Sequence, residues 1–237
     1  MDSLFRGSLV AAVLLSLSGG AQAATVLYNN DFSSNANGFS GVTGLTTSPS
    51  GQSFLGPLFN GGTATLTLNN VAPNSAYTLN FTLYAIGSVD GDGQFGGGPD
   101  PFVVTSSAGG TIFNYNFANF GGDTQNYPTE PSPPATGAAA IGTLGYSGYP
   151  GDIQDSTYNF SLSGMTGAGN TLSFSFSGNT NEALNNEFYG LDNVSVSGTT
   201  AVSAVPLPKS APLFGAGLVM LAGLRYAAKR RKGATAV

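Results

Sequence analysis

Residues 171–177 read TLSFSFS, and this stretch decides the fold. Leu172, Phe174 and Phe176 alternate with hydroxyl side chains, so an extended chain places its apolar residues on one face and its polar residues on the other. The pattern therefore predicts a half-buried β-strand. The same alternation occurs in three further stretches: Tyr77, Leu79, Phe81 and Leu83; Leu66 and Leu68; and Tyr158, Phe160 and Leu162.

Short strands of this kind account for most of a predicted domain that covers residues 24–198. Gly, Asn and Pro separate them, and no part of this region shows a sustained helical stripe. We expect an all-β fold, an antiparallel β-sandwich (jelly roll), rather than a β-solenoid, because no fixed-period repeat is present. Residues 128–142 are rich in Pro and Ala and predict a long surface loop. Further candidate strands are residues 25–32, 53–59, 102–106, 111–117 and 191–197.

The charged residues are distributed very unevenly. Of the seven Lys and Arg residues, Arg6 lies near the amino terminus and the other six lie from Lys209 onward, so residues 24–208 contain none. The same region holds all but one of the twelve acidic residues. Such a polyanion cannot neutralise phosphates, which argues against a nucleic-acid partner. Any buried carboxylate in it must be protonated, accept neutral hydrogen bonds or hold a metal cation.

Absent residue types exclude many catalytic mechanisms. The chain has no His and no Cys, which rules out Ser-His-Asp and Cys-His nucleophiles, the usual zinc ligands and disulfide bonds. The remaining candidate chemistry is glycoside hydrolysis by two carboxylates, drawn from Glu130, Glu182, Glu187 and the aspartates. Three tyrosines could stack on sugar rings, but we favour a role as loop anchors for them: Tyr127, Tyr146 and Tyr149.

The first 23 residues predict a secretory signal peptide. Arg6 precedes an apolar stretch, residues 9–17, and Ala21-Gln22-Ala23 supplies the small residues of a cleavage site. The apolar stretch is too short for a retained membrane helix. We therefore expect cleavage after Ala23 and export of the chain that follows.

The carboxy-terminal region has three parts in order. A linker, residues 199–209, contains Val205, Pro206, Leu207 and Pro208; residues 210–232 hold an apolar helix and a basic cluster; residues 233–237 form a tail. The apolar part, residues 210–224, would span about 22 Å at 1.5 Å per residue, which makes it a short transmembrane helix. The basic cluster, which the positive-inside rule keeps in the cytoplasm, consists of Arg225, Lys229, Arg230, Arg231 and Lys232.

This arrangement resembles the PEP-CTERM sorting signal of Gram-negative, exopolysaccharide-producing bacteria, in the variant where VPLP replaces VPEP. Leu207 takes the place of the family's Glu, and Lys209 departs from its pattern. The resemblance implies that an exosortase, a membrane protease or transpeptidase, recognises the tail in the inner membrane, removes it and passes the body to the cell surface. An ordinary single-pass anchor is the alternative.

Two stretches predict a metal site near the ends of the domain. Asn30-Asp31-Phe32 follows the first candidate strand, and residues 186–194, NEFYGLDNV, lead into the last one. They resemble galactose-binding-like jelly rolls, in which the first and last strands are neighbours and a structural Ca²⁺ often lies between them. The resemblance implies Asp31, Glu187 and Asp192 as oxygen ligands. The alternative is that Asp31 and Asp192 only cap turns.

A second candidate calcium site is the loop DGDGQFGGGPD, residues 90–100, with Asp90, Asp92 and Asp100 as ligands. Its D-x-D-G start places two carboxylates near one glycine turn, as in calcium loops, but the distal Glu of an EF-hand and the flanking helices are missing. The alternative is a solvated hairpin tip.

Together these features predict a non-enzymatic exported protein of the cell surface or extracellular matrix, associated with exopolysaccharide or biofilm and first anchored in the inner membrane. The alternatives are a carbohydrate-binding, lectin-like module and a carboxylate-based glycosidase.

Overall fold

The computed structural model describes residues 24–92, 97–147 and 153–201 of the chain. Within these residues all regular elements are β-strands, and no helix is long and apolar enough to span a bilayer. The predicted signal peptide, sorting motif, transmembrane helix and basic cluster lie outside the described residues. The strands are β1 (Thr25–Asn30), β2 (Phe39–Gly41), β3 (Leu45–Thr47), β4 (Ser53–Leu58), β5 (Gly62–Asn69), β6 (Ala76–Gly87), β7 (Pro101–Ser106), β8 (Gly110–Asn116), β9 (Ala140–Ile141), β10 (Asp155–Met165), β11 (Thr171–Gly178) and β12 (Glu187–Gly198).

The strands form two antiparallel sheets. One has the order β3-β4-β12-β6-β10-β9, with β1 also paired to β12, and the other has the order β2-β5-β11-β7-β8. From β4 onward the chain crosses to the other sheet at almost every connection, so β4-β12-β6-β10 faces β5-β11-β7-β8. Two interleaved Greek keys produce this order. The predicted jelly-roll sandwich is therefore confirmed, and the first and last strands are neighbours as expected.

The core lies between the sheets and is largely aromatic. Leu172, Phe174 and Phe176 of β11 are all 0% exposed, as their alternation predicts. On the opposite face of β11, Ser175 and Thr65 of β5 share a hydrogen bond of 2.9 Å between their hydroxyl oxygens. Cross-strand hydroxyl pairs of this kind stabilise the outer face of a sheet.

Strand β12 runs through the middle of its sheet and carries polar residues to both faces. Tyr189 and Leu191 belong to the main core. Glu187 precedes Tyr189 by two residues, so its side chain points to the same face of the sheet. Asp192 has the opposite parity and accepts a hydrogen bond from Tyr84, which belongs to a smaller apolar cluster. At Asn193, with φ of 48°, a β-bulge adds one residue relative to β6.

Two predicted irregular segments are more ordered than their composition indicates. In the loop of residues 128–142, Ser132 and Ala135 are buried, and the Gln125 side chain donates a 2.9 Å hydrogen bond to the Thr136 carbonyl oxygen. The loop lies on the surface, as predicted, and these two buried residues and the Gln125 hydrogen bond hold it against the sandwich. The second segment is the predicted linker, which begins at Thr199. Ala72 N donates a hydrogen bond to Thr199 O, so backbone pairing continues past the end of β12 into this linker.

Candidate metal centre and the adjoining cleft

Three carboxylates converge where the segment between β6 and β7 meets the start of β12. One side-chain oxygen from each of Asp90, Asp100 and Glu187 lies within 4.8 Å of the other two. Backbone hydrogen bonds fix this arrangement: Asp90 N donates to Asp100 Oδ2 and Asp100 N donates to Asp90 O, both at 2.9 Å. Tyr189 donates its hydroxyl to Asp100 O at 2.5 Å, which ties the segment to β12.

Two members of this acidic centre are removed from solvent. Asp100 and Glu187 are both 0% exposed, whereas Asp90 is half-buried. Glu187 Oε1 accepts a 3.3 Å hydrogen bond from Glu182 N. Asp100 Oδ1 and Glu187 Oε2, however, receive no hydrogen bond from the described residues. A buried polar oxygen without a partner is destabilising, so this pair needs a proton or a cation.

The electrostatics of the centre reflect this crowding. Burial, and then the adjacent carboxylate of Asp100, raise the pKa of Glu187 to about 9. Burial and the charges of Asp100, Glu182 and Asp123 raise the pKa of Asp90 to about 6, and burial also raises that of Asp100. No Lys or Arg occurs between residues 24 and 208, so no internal cation offsets the effects of burial and of the neighbouring carboxylates on these pKa values.

Asp92, the third aspartate of the predicted calcium loop, lies beside Asp123 and Thr124 rather than with Asp90 and Asp100. Asp92 is exposed, and its carboxylate accepts a hydrogen bond from the Thr124 hydroxyl. Asp123 lies beside it and accepts a 2.6 Å hydrogen bond from Gly91 N. Burial, followed by the proximity of Asp92, raises the pKa of Asp123. The structure thus brings Asp90 and Asp100 together without Asp92.

The predicted trio of Asp31, Glu187 and Asp192 is divided between two places. Glu187 and Asp192 are five residues apart in one strand, so their side chains point to opposite faces and their Cα atoms lie roughly 16 Å apart. Asp31 lies near Asp192 instead. Burial raises the pKa of Asp192, and the negative charge of Asp31 raises it further. This trio does not form one site, because its spacing conflicts with strand geometry.

Asp31 has the turn-capping role of the alternative interpretation, whereas Asp192 lies inside strand β12 and also accepts hydrogen bonds from residues distant in the chain. Asp31 Oδ1 accepts a 3.0 Å hydrogen bond from Ser33 N, and Asp192 Oδ1 accepts a 2.7 Å bond from Asn193 N. Asp192 Oδ2 is also occupied, since Tyr84 and Gln52 donate to it at 2.8 Å and 2.9 Å. These contacts satisfy the buried carboxylate of Asp192 with neutral donors.

The acidic centre opens onto a cleft of about 760 Å³. Asp90 and Glu182 line it together with Ser88, Phe120 and Asn186. The Asn186 side chain links two of these walls, because it donates to the Glu182 carboxylate and accepts a 2.7 Å hydrogen bond from the Ser88 hydroxyl. Gly97 leaves room for the Asp90 carboxylate, which a Cβ at that position would overlap.

A smaller cleft of about 280 Å³ shares the Ser88 and Asn186 wall and is lined by aromatic and amide side chains. Tyr146 meets Phe188 edge-on, with 6.0 Å between ring centroids. Gln154 and Asn185 supply the amides. We call this smaller cavity the aromatic cleft.

The three predicted tyrosines have different positions. Tyr127 packs against the core rings of Tyr158 and Phe160, at centroid distances of 5.8 Å and 5.3 Å, and is therefore a loop anchor. Tyr146 lines the aromatic cleft, and Tyr149 lies outside the described residues. Phe188 is not among the residues predicted from the sequence. It lies between the buried residues Glu187 and Tyr189, and alternation along β12 therefore points its side chain to the other face of the sheet.

Comparisons with known proteins yield similarity only to solved structures. No family model matches. No curated protein is significantly similar to the chain either. The C-terminal CBM6 of LamC, a marine laminarinase from Zobellia galactanivorans, is 11% identical, with a TM-score of 0.33; the match covers 72% of this chain and 98% of that one. CBM35 from Cellvibrio japonicus Abf62 is 15% identical, with a TM-score of 0.29 and coverage of 75% and 95%.

Proposed function

We propose that this chain is a non-catalytic carbohydrate-binding protein that works outside the cell. The observation that carries the proposal is the aromatic cleft, in which Tyr146 and Phe188 lie beside the amides of Gln154, Asn185 and Asn186. Aromatic rings pack against the apolar faces of sugar rings, and amides both donate to and accept from sugar hydroxyls. A cavity of about 280 Å³ is near the lower limit for ligand pockets, which suits one or two sugar units.

The burial of the carboxylates argues against the glycosidase alternative. A carboxylate pair that cleaves a glycosidic bond must reach the substrate from both sides. Asp100 and Glu187 are 0% exposed, so a sugar cannot enter between them. Among the described residues, the carboxylates that line the larger cleft are Asp90 and Glu182, and neither belongs to the fully buried pair. We therefore assign the acidic centre a structural role.

The carboxy-terminal sequence supports a wider proposal about delivery. The VPLP motif, apolar segment and basic cluster suit a protein that is exported, held briefly in the inner membrane and released by an exosortase to the exopolysaccharide outside. Intact-mass measurement on protein from the native host should give a chain that begins at Ala24 and ends near Pro208. A mass that retains the basic cluster would favour the plain anchor.

Truncating either ring of the aromatic cleft should weaken carbohydrate binding. We expect the full chain to bind selected neutral glycans on an array, and Tyr146→Ala or Phe188→Ala to weaken that binding at least about fivefold, since loss of one stacking ring removes about 1 kcal/mol or more. The matched control is Tyr28→Ala: Tyr28 is also half-buried and packs edge-on against Phe39 at 5.9 Å, but lies near the other end of β12. Selective binding that survives both cleft variants, or no selective glycan, would contradict the proposal.

A further inference from the structure

We propose that Asp90, Asp100 and Glu187 bind one Ca²⁺ ion that ties the segment between β6 and β7 to the start of β12. Asp90 and Asp100 come from the predicted calcium loop of residues 90–100, and Glu187 comes from the other predicted calcium site. The inference concerns the metal itself and holds whether or not the aromatic cleft binds carbohydrate.

The spacing of the oxygens fits a single calcium ion. Calcium binds oxygen ligands at about 2.3–2.6 Å, so two ligands on opposite sides of one ion are up to roughly 5 Å apart. The oxygens of Asp90, Asp100 and Glu187 lie within 4.8 Å of one another. One ion can therefore contact all three carboxylates without rearrangement of the backbone.

The unpaired oxygens are a second, independent indication. Asp100 Oδ1 and Glu187 Oε2 are buried and receive no hydrogen bond from the described residues, although the second oxygen of each carboxylate accepts a backbone N–H. Asp192 provides the contrast, because neutral donors occupy both oxygens of that buried carboxylate. The acidic centre is thus built with free acceptors, as a cation site requires.

The charge of the surroundings has the same implication. Glu182 adds a fourth carboxylate, which lines the cleft next to Asp90. No Lys or Arg occurs between residues 24 and 208, so a positive charge must come from an ion. Burying unpaired carboxylates is strongly unfavourable, and a divalent cation removes that penalty.

The ligand chemistry selects calcium among the common cations. The chain contains no His and no Cys, which disfavours zinc, copper and iron. Magnesium retains most of its water and usually binds through one or two carboxylates. Two fully buried carboxylates that must contact the ion directly, with a third beside them, suit calcium better.

Isothermal titration calorimetry on the full chain in mild detergent tests the site. We expect one Ca²⁺ per chain, and at least about tenfold weaker binding in Asp100→Asn and in Glu187→Gln, since each removes a charged ligand. Asp31→Asn, at the other predicted calcium position, is the control and should bind like the native chain. Unchanged affinity in both ligand variants, or a loss only in Asp31→Asn, would overturn the proposal.

A melting experiment separates loss of a ligand from misfolding. Glu187→Gln should melt at or above the native temperature in EDTA, because the Gln amide can donate to Asp100 and both unpaired atoms then have partners. Calcium should raise the midpoint of the native chain and leave that of the variant unchanged. An equal loss of stability with and without calcium would mean that Glu187 is only a packing residue, which would contradict the metal site.

Discussion

In EDTA, the midpoint of thermal unfolding is expected to fall as the pH rises from about 5 to about 9. Burial and the neighbouring Asp100 raise the pKa of Glu187 from 4.5 to about 9 in the folded chain. Burial and the nearby carboxylates raise the pKa of Asp90 to about 6. Between the unfolded and folded pKa values, the folded state binds more protons than the unfolded state. The contribution of the protonated Glu187 to stability is therefore fully present below pH 4.5 and is lost as the pH rises toward 9. A loss of only 1 kcal/mol lowers the midpoint by about 2–4 °C in a domain of this size.

Melts monitored by circular dichroism at several pH values, with EDTA or with excess calcium, measure this effect. Calcium replaces the proton, so its stabilisation should be largest at high pH, where the carboxylates of the metal-free chain repel one another. Glu187→Gln should flatten the dependence seen in EDTA. A midpoint in EDTA that rises steadily between pH 5 and pH 9 would show that the acidic centre is not protonated in the folded chain.

Phe174→Ala should destabilise the fold by about 3–5 kcal/mol, the usual range for removing a buried aromatic ring. Phe174 is 0% exposed at the centre of β11 and meets the Tyr77 ring edge-on, with 5.1 Å between centroids. The loss is a large part of the total stability of a typical domain. Chemical denaturation of the full chain in urea, with calcium present throughout, measures it.

Met165→Ala is the matched control for that experiment. Met165 is the last residue of β10 and is 58% exposed, so its truncation should change the free energy of unfolding by less than about 0.5 kcal/mol. Equal effects of Phe174→Ala and Met165→Ala would contradict a core built on the inward face of β11.

The sandwich could be predicted because its signal is local. In TLSFSFS, side chains two residues apart share a face whatever the rest of the chain does, so Leu172, Phe174 and Phe176 had to be buried together. The short strands β2, β3 and β9 carry no such pattern; they are strands because a longer neighbour, β5, β4 or β10, offers them a partner. Pairing of that kind depends on tertiary structure.

The acidic centre could be predicted only in part, because it joins residues that are distant in the chain. The uneven distribution of Lys and Arg already indicates that buried carboxylates lack internal partners. Which carboxylates meet depends on the path of β12 beside β6, which pairs Glu187 with Gly87 and so places it near Asp90. Alternation along β12 could have excluded Asp192 from the same site, because it follows Glu187 by five residues and the bulge begins only after Asp192.

Anomalous diffraction from a crystal of the chain soaked in terbium, a hard cation that substitutes for calcium, tests the central claim most directly. The account predicts a peak between the carboxylates of Asp90, Asp100 and Glu187, displaced when excess calcium is added. Absence of a peak there at full soaking, or a peak only beside Asp31 and Asp192, would contradict it.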